Sequence, residues 1–154
     1  MATVTLSVDG ETHTLEVDAD MPLLYALRDD LGKNNPRFGC GLAQCGACTV
    51  LIDGTPVRSC VMPATAVNGE ITTLNGLGSE ADPHPVQQAF IDEQVPFCGY
   101  CTNGWVMYSV AMLENNPEVT DAEMRRQFAG LKCRCGSHTA ILRAVKKAAD
   151  TMKV

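Results

Sequence analysis

The first seventeen residues alternate between apolar and polar. Val4, Leu6 and Val8 fall on one face of a strand running from Thr3 to Val8. Asp9-Gly10 reads as a two-residue turn, so Thr12 to Val17 is expected to pair back as a hairpin. The period then lengthens. Leu23, Leu24, Leu27 and Leu31 form a helical stripe, with Asp20 to cap it, Pro22 near its first turn and Gly32 to end it. Alternation returns at Thr49-Val-Leu-Ile52, turns at Asp53-Gly54 and comes back through Val57 to Cys60. Ile71 to Leu74 reads as a last short strand. Two hairpins embracing one helix predict a β-grasp domain over residues 1–75. Asn75 to Asp82 is polar and glycine-rich, and reads as the crossing between domains. Beyond it the period is helical. Asp82 is expected to cap a helix over Pro83–Gln94, and Thr102 a second one to about Asn115 that carries Trp105, Val106, Val110 and Leu113. Thr120-Asp-Ala-Glu123 is a capping box opening a third helix to about Phe128. Ser137 or Thr139 opens the last, with Ile141, Val145, Ala148 and Met152 at helical spacing. The pattern predicts an α+β chain: a β-grasp domain followed by a four-helix bundle over residues 82–154.

Composition sets limits on this picture. The chain has 154 residues and is 45% hydrophobic but only 5% aromatic, so its cores must rest on Val, Leu, Ile, Met and Ala. A formal charge of −6 argues against nucleic acid or an anionic membrane surface as a partner. Residues 1–20 carry no basic segment or apolar stretch of a secretory signal. No apolar run approaches the roughly 18 residues of a spanning helix, so no direct membrane insertion is expected. The expected compartment is the cytoplasm. The alternative is the periplasmic face of the inner membrane, reached by export on a partner's signal.

Eight cysteines change the picture most. An even count also suits a disulfide framework, but the chain is too long and too rich in core residues to need staples. The stretch Phe38-Gly-Cys-Gly-Leu-Ala-Gln-Cys-Gly-Ala-Cys-Thr49 sets Cys40, Cys45 and Cys48 at C-x4-C-x2-C. That is the plant-type [2Fe–2S] spacing, which needs one more distant cysteine. Cys60 is the nearest candidate, since the second hairpin folds it back towards the loop. Gly39, Gly41 and Gly46 allow the backbone to wrap tightly and turn its amides inward to the sulfurs. Zinc sites use shorter, paired spacings. A second group follows. Cys98 and Cys101 lie between the first two predicted bundle helices, and Cys133 and Cys135 between the last two. A bundle can bring all four to one end, where helix N-termini favour thiolate. Four thiolates there are compatible with [2Fe–2S] or zinc.

The whole pattern resembles the small iron–sulfur subunit of the xanthine oxidase family of molybdenum hydroxylases. The resemblance covers essentially the full chain and all eight cysteines in order. The stretch Gly41-Leu-Ala-Gln-Cys-Gly-Ala-Cys-Thr-Val50 looks most like the isoquinoline, nicotinate and aldehyde dehydrogenase branch. The resemblance implies a plant-type ferredoxin-like domain with one [2Fe–2S] cluster on Cys40, Cys45, Cys48 and Cys60. It implies a second on Cys98, Cys101, Cys133 and Cys135 of the bundle. It further implies a large molybdenum-binding partner subunit that holds the molybdopterin and the substrate. Electrons would pass through the bundle cluster, then the β-grasp cluster, to a cytochrome c or an FAD-binding subunit. Cys135 would be the ligand nearest the pterin, and Phe97 would stand where the family usually has a Gln that contacts it. Two further departures are Asn103, at a position where Pro is common, expected to affect only helix capping, and His138, read as a surface residue. No catalytic acid–base or nucleophile constellation is visible in the chain. The competing function is a free-standing ferredoxin whose bundle is a zinc-stabilised interaction domain.

Overall fold

The computed structural model describes residues 1–153. Strands β1 (Ala2–Val8) and β2 (Glu11–Val17) pair antiparallel as the first hairpin. Its turn residues Asp9 and Gly10 both have positive φ, 52° and 82°, which matches the twist of the flanking strands. β3 (Thr49–Ile52) and β4 (Thr55–Arg58) form the second hairpin, with Asp53 and Gly54 in the same conformation. β5 (Glu70–Thr72) lies between the hairpins, parallel to β1 and antiparallel to β3. The sheet order is β2-β1-β5-β3-β4. A helical segment covers it, and Leu23, Ala26 and Leu27 pack onto Val4, Leu6, Val8, Val17, Val50 and Ile71. This is the expected β-grasp.

The covering segment differs from the expected helix. Only Leu23–Tyr25 is α-helical (α1), and Ala26–Asp30 continues as a π-helix. Asp20 does not cap it; Pro22 holds the cap position, with no side-chain bond. The segment is instead pinned from outside, by Leu23 N–H to Met62 O (2.7 Å) and Leu24 N–H to Ser59 O (3.0 Å). Gly32, at φ 65°, ends it as expected.

The second half holds the four expected helices, α2 (Pro85–Asp92), α3 (Thr102–Asn115), α4 (Asp121–Gln127) and α5 (His138–Met152). Two starts differ from expectation. Asp82 does not cap α2. Pro85 sits in its first turn and holds His84 extended (ψ 145°), so His84 becomes the cap and its Nδ1 accepts from Val86 N–H. Thr102 lies inside α3, whose cap position is Cys101. α5 opens after Ser137 as expected, with Ser137 at the cap position and no side-chain bond. The Thr120–Glu123 capping box forms as expected. Between the halves, Leu77 to His84 holds only turns and bends.

Each half keeps its own apolar core, and the two meet along a seam. α3 packs on β3 and β4, and Leu51 of β3 is buried in the same apolar cluster as Trp105, Val110, Leu113, Ile141 and Val145.

Candidate metal centres

The loop between α1 and β3 presents Cys40 and Cys45 half-buried, with Cys48 at its inner end buried. The β3–β4 hairpin returns Cys60 beside Cys48, and Leu24 seals both from below. Three amides converge on one sulfur. Leu42, Gln44 and Cys45 N–H all donate to Cys40 Sγ, at 3.3, 3.1 and 3.3 Å. Gly41 (φ 65°) and Ala43 (φ 58°) turn the chain so that these amides face inward. Burial pushes the Cys40 thiol up, but the amides outweigh it and bring it to about 7. Burial raises Cys48, to about 11.

The second group gathers at one end of the bundle. Cys98 and Cys135 are exposed, Cys101 is half-buried and Cys133 is buried. Tyr100 N–H donates to Cys98 Sγ and Ser137 N–H to Cys133 Sγ, both at 3.5 Å. The Tyr100 amide lowers the Cys98 thiol. Burial raises Cys133, yet the hydroxyl and amide of Ser137 bring it down to about 7. Burial drives Cys101 up to about 12.

In both groups the sulfurs pair. Cys40 meets Cys45, Cys48 meets Cys60, Cys98 meets Cys135 and Cys101 meets Cys133. The first set is gathered by the amides on Cys40 and the packing of Cys48 with Cys60, and the second lines one cavity. Among the described residues, no three or more Cys, His, Asp or Glu side chains converge as ligands of one ion. Two pairs of sulfurs side by side are the arrangement that a two-iron core, with two ligands on each iron, can occupy. The inward amides supply the donors that such a core's negative charge requires.

The two cysteine loops are also tied to each other. Lys132 N–H, next to Cys133, donates to Cys45 O at 3.0 Å. The Tyr100 hydroxyl donates to Phe38 O. Asn103 Nδ2 donates to both Ala47 O and Thr49 O at 2.9 Å. Asn103 is therefore a clamp between the halves, and the expectation that it affects only helix capping is corrected. Gly104 lies so close that a Cβ there would stand 2.1 Å from Gly46 O.

The remaining expected residues fall as follows. Phe97 is 72% exposed, beside Cys98. His138 is exposed at the start of α5, with its ring edge-on to Trp105 at 5.6 Å. Trp105 is buried, and Tyr108 stacks under the Arg58 guanidinium at 5.1 Å. The Lys132–Cys45 bond and the Asn103 clamp have no local sequence signal, because their partners lie in the other half of the chain. Among the described residues no helix is long and apolar enough to cross a membrane.

Comparison with known proteins agrees with this geometry. Residues 6–73 match the family described as 2Fe-2S iron-sulfur cluster binding domain, and residues 73–146 the family described as [2Fe-2S] binding domain. One subunit of the nicotinate dehydrogenase of Pseudomonas putida is 53% identical over 98% of this chain and 97% of its own length. The alpha subunit of isoquinoline 1-oxidoreductase from Brevundimonas diminuta is 44% identical over 87% of this chain and 88% of its own. Among solved structures, quinoline 2-oxidoreductase from Pseudomonas putida 86 superposes with a TM-score of 0.92 at 30% identity, covering 99% of this chain and 96% of that one. The aldehyde oxidoreductase from Desulfovibrio desulfuricans superposes with a TM-score of 0.93 at 35% identity, but this chain spans only 17% of its length. With two [2Fe–2S]-binding domains in that order and near-full-length likeness to such subunits, the chain belongs to the xanthine oxidase family, where it is the iron–sulfur subunit of an oxidoreductase.

Proposed function

We propose that the chain carries electrons from a molybdenum cofactor on a larger partner subunit to an external acceptor, a cytochrome c or an FAD-binding subunit. The complex would hydroxylate an aldehyde or an N-heteroaromatic substrate. The 53% identity to a nicotinate dehydrogenase subunit favours the N-heteroaromatic class. When bound, a [2Fe–2S] cluster supplies a one-electron carrier. In this reading residues 1–75 hold one cluster on Cys40, Cys45, Cys48 and Cys60. Residues 82–154 hold the other on Cys98, Cys101, Cys133 and Cys135.

The observation that carries the reading is the Lys132 N–H to Cys45 O hydrogen bond. One peptide bond separates Lys132 from Cys133, so this contact joins a cysteine of one group to a cysteine of the other by a short bonded route. The exposed Cys98–Cys135 pair, with exposed Phe97 beside it, would face the molybdopterin. Phe97 offers the pterin an apolar contact where the family's Gln offers a hydrogen bond. The chain's own residues bind the clusters, turn amides to them and shield their inner sulfurs.

The test is electron paramagnetic resonance on the assembled complex. Cys45→Ser should remove one of two [2Fe–2S] signals and leave the other, and Cys98→Ser should do the reverse and slow reduction by substrate more. Loss of both signals from a folded variant would overturn the assignment. About four Fe and no Zn per chain is the expected metal content. About two Fe and one Zn would restore the free-standing ferredoxin with a zinc-stabilised interaction domain.

A further inference from the structure

Trp105 is the only tryptophan of the chain, and it sits one helical turn after Cys101 on the same face of α3. It is 4% exposed. Its ring is fixed edge-on between Phe128 (5.4 Å) and His138 (5.6 Å). Its Nε1 is buried without a hydrogen-bond partner among the described residues. A buried indole N–H left unpaired costs on the order of 1–3 kcal/mol, so an unpaired one in a well-packed site signals a missing acceptor. The indole shares the wall of one cavity with Cys98, Cys101, Cys133 and Cys135. One turn from Cys101 and on the wall of the same cavity, the unpaired donor lies on the Cys101 side of the four sulfurs.

We propose that the Trp105 indole N–H is a hydrogen-bond donor to the bundle cluster on its Cys101 side, and that it raises the cluster's reduction potential. This rests on the proposed ligation of the bundle cysteines. A donor to a cluster sulfur stabilises the reduced state more than the oxidised one, because the reduced cluster carries one more negative charge. Trp105 thus acts as a positioning residue for the cluster's electrons, through sulfur. The six-membered ring of Phe would fill much of the same space and offer no N–H.

The experiment uses the assembled complex. Trp105→Phe should lower the midpoint potential of the bundle cluster in a redox titration followed by paramagnetic resonance, with the β-grasp cluster unmoved. An unchanged or raised bundle potential overturns the proposal. The second measurement needs no variant. With indole-15N tryptophan incorporated, electron–nuclear double resonance on the reduced bundle cluster should show a coupled 15N nucleus. Absence of that coupling, with the bundle signal present, also overturns it. Absence of the bundle signal itself would instead sink the ligation on which the proposal rests.

Discussion

Replacing Asn103 with Ala would take its amide donor from the Thr49 carbonyl and leave Ala47 O with only the Arg37 N–H, in the seam between sheet and α3. Losing two buried hydrogen bonds with no donor put in their place should cost about 2 kcal/mol. Denaturant unfolding of the cluster-loaded chain measures it, and an unfolding midpoint equal to the parent's would remove Asn103 from the interface. At this scale the sequence was legible where the chemistry is local. Cys40, Cys45 and Cys48 are recognisable because their spacing and intervening glycines are themselves the fold of the loop. Asn103 was not legible as a clamp, since its acceptors lie 56 and 54 residues away. Trp105 stands on the apolar stripe expected of its helix and is buried there, but its unpaired N–H is visible only in three dimensions.

Among the elements, α3 is the one on which both halves depend. Its first turn reaches the cysteine loop backbone to backbone, so Gly104→Ala should force the halves apart. With a Cβ 2.1 Å from Gly46 O, neither side can yield by a side-chain rotation. The expected result is poor retention of clusters and rapid proteolysis between residues 76 and 84. A variant as resistant as the parent would show that the contact relaxes freely. α4 provides a pH test. The Thr120 amide and hydroxyl hold the Glu123 carboxyl below its ordinary value of 4.5. A lowered folded value means the carboxylate's contribution is complete above about pH 4.5 and is lost as pH falls through the folded value. A carboxyl-carbon NMR titration should place the Glu123 midpoint below 4.5, and a midpoint at or above it would contradict the capping box. The hairpins were legible because Asp-Gly turns fix their register. The helix starts were not, because caps compete locally: Pro85 moved one to His84, and the β4 tail pinned α1 without Asp20.

Taken whole, the molecule should unfold as a unit. The sequence reads as two small domains, but Leu51 belongs to the bundle's core and α3 leans on the sheet. Small cores seldom supply more than a few kcal/mol, so stripping the clusters should lower stability in both halves together. Calorimetry of the loaded chain should give one transition, and two resolved transitions would show independent domains. The meeting of Gly46 with Gly104 has a further consequence, for how such chains can be recombined in evolution or design. The β-grasp half is not an interchangeable cassette. A donor ferredoxin grafted onto this bundle must bring glycine or an equally bare backbone at position 46, where φ is +83° and any Cβ would strike Leu131. It must also present its carbonyls where Asn103 can reach them. Transplants that respect only the cysteine spacing should yield chimeras whose halves cannot dock.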